Sequence, residues 1–298
     1  MGNSNSGRMT RRGFIAAAVG TSVIGALARR PVAAAAPPAG IRLGLATYQW
    51  GMNWDIPTLI ANCRQAGVPG VELRTQSKYK HGVELDLSAA QRAEVKKRFA
   101  DSPVTVAAIA CSERLDWPDP ARLKTAVADA KKYLQLCHDI GADSLRVFPN
   151  QFHKEVAREK TIEQIARAIN ELGAFAAGIG RRVDLEAHGP AGELSTMKAV
   201  MDQVTSKAVG VRLNSDKRDA AGAGLEANFN FVKGRLARTV HLHNLKNAAF
   251  PYQEMFRLLV KAGWQGWMLM ENTEKEADLV AAMVEQRRLW EQLMEKAK

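Results

Sequence analysis

Cysteine is scarce: Cys63, Cys111 and Cys137 are the only three in 298 residues, and no two lie close together. That spacing excludes a disulfide framework and a Cys-x-x-Cys zinc clip. It leaves three small hydrophobes inside predicted helices or strands, with one bridge as the alternative in an oxidising compartment. Long basic runs and zinc-finger spacings are missing too. Despite a formal net charge of +11, lysine and arginine are scattered along predicted helices, so no nucleic-acid partner is expected. No Gly-x-Gly-x-x-Gly turn follows the first predicted strand, where the chain reads Tyr48-Gln49-Trp50-Gly51-Met52-Asn53-Trp54. This counts against an open doubly wound nucleotide-binding sheet. Nor does a glycine-rich phosphate cradle stand near the last two predicted strands.

The one early apolar stretch, Phe14 to Ala28, falls short of the roughly 20 residues that cross a bilayer. It follows Thr10-Arg11-Arg12-Gly13-Phe14-Ile15 and precedes the small residues Val32 to Ala36 and two prolines. Paired arginines, a short apolar core and an Ala-x-Ala site read as a twin-arginine export signal over residues 1–36. Cleavage near Ala36 is expected to release a periplasmic protein, residues 37–298, without a stable membrane anchor; the intact mass of secreted protein checks this. The leader holds Arg8, Arg11, Arg12, Arg29 and Arg30 and no acidic residue, so removing it takes five units from the net charge.

From Ile41 onward, short apolar runs alternate with amphipathic stretches through eight cycles. Strands are expected near Arg42–Tyr48, Gly70–Arg74, Val104–Ala110, Ser144–Phe148, Arg182–Ala187, Val209–Asn214, Thr239–His243 and Trp267–Glu271. Helical spacing shows in Ile162, Ile165, Ile169 and Leu172, and Gly67, Gly141 and Gly180 sit where helices should stop. Parallel strands need helical crossovers, and eight can close without an edge, which predicts a single (β/α)8 barrel. The stretches Thr75–Asp86 and Cys111–Pro120 are the longer loops expected to cover a substrate.

Polar side chains gather at the ends of the last four strands: Glu186 and His188, Asn214 and Asp216, His241 and His243, then Glu271. In a parallel barrel those ends converge on one mouth. Alternation puts Asp184, Glu186 and His188 on the inward face of the fifth strand, and Arg212 with Asn214 on that of the sixth. Near the mouth, Glu186, His243 and Glu271 with Asn214 or Asp216 form an oxygen-rich set for one divalent ion, Mn²⁺, Co²⁺, Mg²⁺ or Zn²⁺. Deeper, Asp184 and Arg212, with His241, are expected to form a buried supporting ion pair.

The motifs Val183-Asp184-Leu185-Glu186-Ala187-His188-Gly189, Val209 to Asn214, His241-Leu242-His243, and Gly263 to Trp267 leading to Met270-Glu271 resemble the xylose-isomerase-like TIM barrels of the sugar phosphate isomerase/epimerase superfamily. The resemblance covers roughly Ile41 to Lys298. It implies one divalent ion held by Glu186, Asn214, His243 and Glu271, where Asn214 replaces the family's usual aspartate with a neutral, weaker ligand. It also implies proton abstraction next to a sugar carbonyl, with Glu186 and Glu271 as catalytic acid and base. Glu72, Arg146, His188 and Lys246 are candidate substrate contacts, and Trp50 a candidate ring for stacking on the sugar.

The expected activity is isomerisation or epimerisation of an unphosphorylated sugar or keto-sugar. A lyase or hydratase acting on an oxidised glycoside by the same enolisation, and a noncatalytic carbohydrate-binding barrel, are the alternatives. An exposed apolar helix face would support a homodimer.

Overall fold

The computed structural model describes Met1, Gly2 and residues 40–298; the twin-arginine leader expected over residues 1–36 lies outside them. Eight strands alternate with eight helices. The strands are β1 Ile41–Ala46, β2 Gly70–Arg74, β3 Thr105–Arg114, β4 Ser144–Phe148, β5 Arg182–Glu186, β6 Val209–Arg212, β7 Thr239–Leu242 and β8 Gly266–Met270. The helices are α1 Ile56–Ala66, α2 Ala89–Ala100, α3 Pro120–Ile140, α4 Arg158–Gly178, α5 Leu194–Met201, α6 Leu225–Val232, α7 Tyr252–Lys261 and α8 Leu279–Glu295. All strand pairs are parallel, in the order β6-β5-β4-β3-β2-β1-β8-β7.

The seam between β6 and β7 has no continuous ladder, yet the main chain crosses it. Ala237 N–H donates to Val211 O at 2.8 Å, and His241 N–H to Leu213 O at 2.9 Å. Close approach is possible there because Gly210 lacks a Cβ, which would stand 2.6 Å from the Ala237 Cα. The protein is thus a nearly closed single (β/α)8 barrel.

Local chemistry explains the helix ends. Ser88 and Gln91 form a capping box on α2, Asp55 caps α1 through the Thr58 N–H, and α1 and α3 stop at Gly67 and Gly141 in the left-handed region. Helix α4 turns Ile165, Ile169 and Leu172 into the core, as their spacing predicts. One expectation changes. Strand β3 runs on to Arg114, because Arg114 pairs with Phe148, so the loop expected from Cys111 shrinks to Leu115–Asp119. The three cysteines are buried and free. Among the described residues, Met1 and Phe231 are the only exposed large hydrophobics.

The loop between β2 and α2 holds a buried histidine. His81 Nδ1 accepts from the Val83 N–H at 3.1 Å and the ring stacks on Tyr79 at 5.7 Å, so the imidazole is held neutral. Burial lowers its pKa from 6.5 to about 4. Between those values the unfolded chain binds more protons than the folded one, so stability should fall as pH drops through that window. The expected loss is about 3 kcal/mol. Denaturant midpoints at both ends of the window should move less in His81→Asn, whose amide oxygen can still accept from Val83; an equal shift in the two proteins would refute the assignment.

Candidate active site

The barrel interior is unusual in carrying charge. Arg146, Asp184, Arg212, His241 and Glu72 are all 0% exposed. Alternation along each strand turns them inward, where Arg212 pairs with Glu72 and Asp184, and His241 with Glu72. Asp184 Oδ2 accepts from Ser144 Oγ and Thr239 Oγ1 at 2.7 Å each, and from Arg212 Nη2 at 3.3 Å. Arg212 Nη1 donates to Glu72 Oε2, and His241 Nε2 lies 2.8 Å from Glu72 Oε1. Burial pushes Glu72 up, but Arg212 and His241 outweigh it and hold the carboxyl at about 2. Arg146 anchors Nη1 on Cys111 O at 3.0 Å and brings Nε within 3.1 Å of Glu186 Oε2.

One layer higher, His241 Nδ1 faces three oxygens: Glu271 Oε2 at 3.2 Å, Asn214 Oδ1 at 3.2 Å and Glu186 Oε2 at 3.3 Å. Burial lowers the imidazole's proton affinity, but Glu271, Glu186 and Glu72 together push its pKa up to about 10. Burial also raises Glu186 above the ordinary carboxyl range, with Glu271 adding to it. Glu271 is pushed up by burial as well, yet the field and hydrogen bond of His241 hold it below that range. Two neighbouring carboxyls are thereby driven apart, the condition for separate acid and base roles. Buried Glu186 Oε2 makes no hydrogen bond among the described residues. Nor do any three or more histidine, cysteine, aspartate or glutamate side chains among them form a ready metal cage.

The expected site residues separate accordingly. Glu186, Asn214 and Glu271 come together, but His241 stands at their centre in the place expected for His243. His243 lies beyond the end of β7, is one-third exposed, and keeps Nε2 3.9 Å from Glu271 Oε2. Both histidines share a strand face, so spacing could not separate them; their depth follows from the register that pairs His241 with Leu269. Asp216, weighed as a ligand beside Asn214, pairs instead with Arg218 and accepts from the Asn214 amide.

Four expected substrate contacts are placed elsewhere. Glu72 and Arg146 belong to the buried ion layer below the mouth, both without exposed surface. Trp50 is 2% exposed and donates Nε1 to Glu274 O at 2.8 Å, so the barrel packing uses the ring that was expected to stack on a sugar. Lys246 reaches outward to Glu285 on α8 at 2.6 Å. His188, by contrast, lies part-buried at the mouth against Phe148, with Nδ1 3.0 Å from the Asn150 amide.

Arg74, at the end of β2 and weighed from the sequence as a substrate contact beside Glu72, is a mouth residue. Its guanidinium lies over the Tyr48 ring and 4.0 Å from Glu271 Oε1. A cleft of about 450 Å³, within the range of small-molecule sites, opens between the loops after β6 and β7 and is lined by Ser215, Asp216, Arg218, His243 and Tyr252. Strain collects at the same end. Gln76, Asn150 and Ser215, just past β2, β4 and β6, have φ of 62°, 60° and 50°.

Residues 60–295 match the sequence family described as the xylose isomerase-like TIM barrel. The chain belongs to that family. No curated protein matches it significantly. Among solved structures it is similar to an L-ribulose 3-epimerase, with a TM-score of 0.72, 16% identity, and 87% of this chain and 96% of that one covered. The IolI protein with a bound zinc atom gives a TM-score of 0.73 at 15% identity, covering 86% and 99%. The 3-keto-D-glucoside 4-epimerase of E. coli gives 0.69 at 13%, covering 85% and 100%. At such identities these likenesses establish the shared fold alone.

Proposed function

We propose that the protein is a divalent-metal-dependent isomerase or epimerase that moves a proton on the carbon next to the carbonyl of an unphosphorylated sugar or keto-sugar. The observation that carries this reading is the ring of three oxygens around His241 Nδ1. Four ligands of a tetrahedral ion at about 2.0–2.2 Å stand roughly 3.2–3.6 Å apart, and the three contacts of Nδ1 measure 3.2, 3.2 and 3.3 Å. The other nitrogen, Nε2, is oriented by the Glu72 carboxylate, the support that metal-ligating histidines ordinarily have. Glu186, Asn214, His241 and Glu271 would hold the ion. When bound, such an ion polarises the carbonyl and hydroxyl oxygens of the substrate.

The chain's own residues supply the proton transfer. Glu271, with Arg74 close by, takes the carbon-bound proton on one of its carboxylate oxygens. Glu186 returns a proton to the other face. The zinc bound to IolI and the sugars named for the epimerases support this reading by family likeness.

Protein purified without chelator should carry about one equivalent of Mn, Co, Mg or Zn, lost in Glu271→Gln. A panel of keto-sugars should then exchange a carbon-bound proton with solvent. A folded protein that refuses added Mn²⁺ would leave a noncatalytic carbohydrate-binding barrel as the better account. The paired arginines Arg11 and Arg12 support a periplasmic location for the mature chain.

A further inference from the structure

The loop after β4 carries a device that no part of the proposed chemistry uses. Asn150 sits in the left-handed region, with φ of 60°, although it is not glycine. Its backbone oxygen accepts from the Ala191 N–H at 3.0 Å, and Gly189 packs so closely that a Cβ there would stand 2.1 Å from that oxygen. The side-chain amide is thereby wedged between Arg114 and His188. Arg114 is itself fixed, paired through Nε and Nη2 with the Asp116 carboxylate, which has no exposed surface, and its guanidinium lies 4.2 Å from the Trp117 ring centre.

A guanidinium has donors and no acceptor, so the edge of Asn150 that faces Arg114 has to be the oxygen. In that orientation the oxygen accepts from Arg114 Nε at 2.8 Å and Nη2 at 3.2 Å, and the amide nitrogen donates to His188 Nδ1 at 3.0 Å. An imidazole nitrogen that accepts a hydrogen bond carries no proton. We infer that Asn150, locked by Arg114 and Asp116, is a positioning residue that fixes His188 as its Nε2–H tautomer and so makes it a hydrogen-bond donor toward a substrate oxygen at the barrel mouth. The ring packs tilted on Phe148, with centroids 4.6 Å apart, so its plane is held as well as its tautomer. Asn150 acts through His188 rather than on the substrate. Only the consequence for substrate binding rests on the proposed function; the tautomer does not.

The test is a long-range proton–nitrogen correlation spectrum of the imidazoles in nitrogen-labelled protein, about two pH units above the ordinary histidine value of about 6.5. The resonances of His188 are assigned by their loss in His188→Gln. Wild-type protein should show His188 as Nε2–H alone. Asn150→Gly tolerates the positive φ while removing the amide, and should show a mixture of the two tautomers. With an active keto-sugar in hand, the same variant should raise KM up to about tenfold, the worth of one hydrogen bond, with kcat changed less. An Nδ1–H form in the wild type overturns the inference, whether or not the variant folds. An unchanged tautomer in folded Asn150→Gly also overturns it. Absence of any sugar turnover with the expected tautomers would count against the proposed function and leave this inference standing.

Discussion

Glu186→Gln and Glu271→Gln should each give a folded barrel whose turnover has fallen by about 10²–10⁴-fold, the usual contribution of a positioned acid or base. Glutamine keeps the shape and one oxygen of the carboxyl but neither accepts nor releases a proton at neutral pH. The two losses should differ in kind. Glu271 lies 3.2 Å from His241 and 4.0 Å from Arg74, so its amide variant loses the base and relaxes the charge around the imidazole. Glu186 faces Arg146 at 3.1 Å and His241 at 3.3 Å from an oxygen without a hydrogen bond, so its variant removes a buried carboxyl that was costly to ionise and should fold at least as well. Solvent exchange of the carbon-bound proton and circular dichroism on the same samples separate the effects. Full turnover in either variant would remove that glutamate from the chemistry. A change in sugar affinity alone, with no turnover in the parent, would favour the noncatalytic barrel.

The second large effect lies below the mouth. Arg212→Met should cost about 3–5 kcal/mol, the range for removing one partner of a buried ion pair. Methionine fills much of the volume but leaves Glu72 and Asp184 without the guanidinium that both contact. These carboxylates are fully buried. Pairing Arg212→Met with Glu72→Gln should recover part of the loss, because the neutral amide no longer needs a cation; the difference is the coupling energy. Urea midpoints of the two single variants and the double give all the terms. An unchanged midpoint in Arg212→Met would mean that the ion layer contributes nothing to stability, and that the polar barrel interior has another explanation.

Much of the fold was legible because the barrel is built from locally consistent units. The bounds of β2 and β4 match the expected runs at both ends, and the glycines at 67, 141 and 180 adopt the positive φ that helix stops require. The length of β3 was less legible, because Arg114 joins the sheet through its neighbour Phe148 rather than through any pattern of its own. At the site, period-two alternation told which residues point inward but not how deep they lie. His241 and His243 are equivalent by that rule, as are the ends of β2 and β4, where Glu72 and Arg146 are sealed while Arg74 reaches the mouth.

The sequence by itself determined the barrel and the end at which polar groups gather, since each follows from periodicity and residue type along one strand at a time. Tertiary structure decided the rest. Strand register chose His241 over His243 as the centre of the cluster, and folding placed Trp50 in the core and Lys246 against α8. The Asp116–Arg114–Asn150–His188 chain likewise exists only once three strand ends meet, because a hydrogen bond depends on distance and direction that no linear spacing encodes.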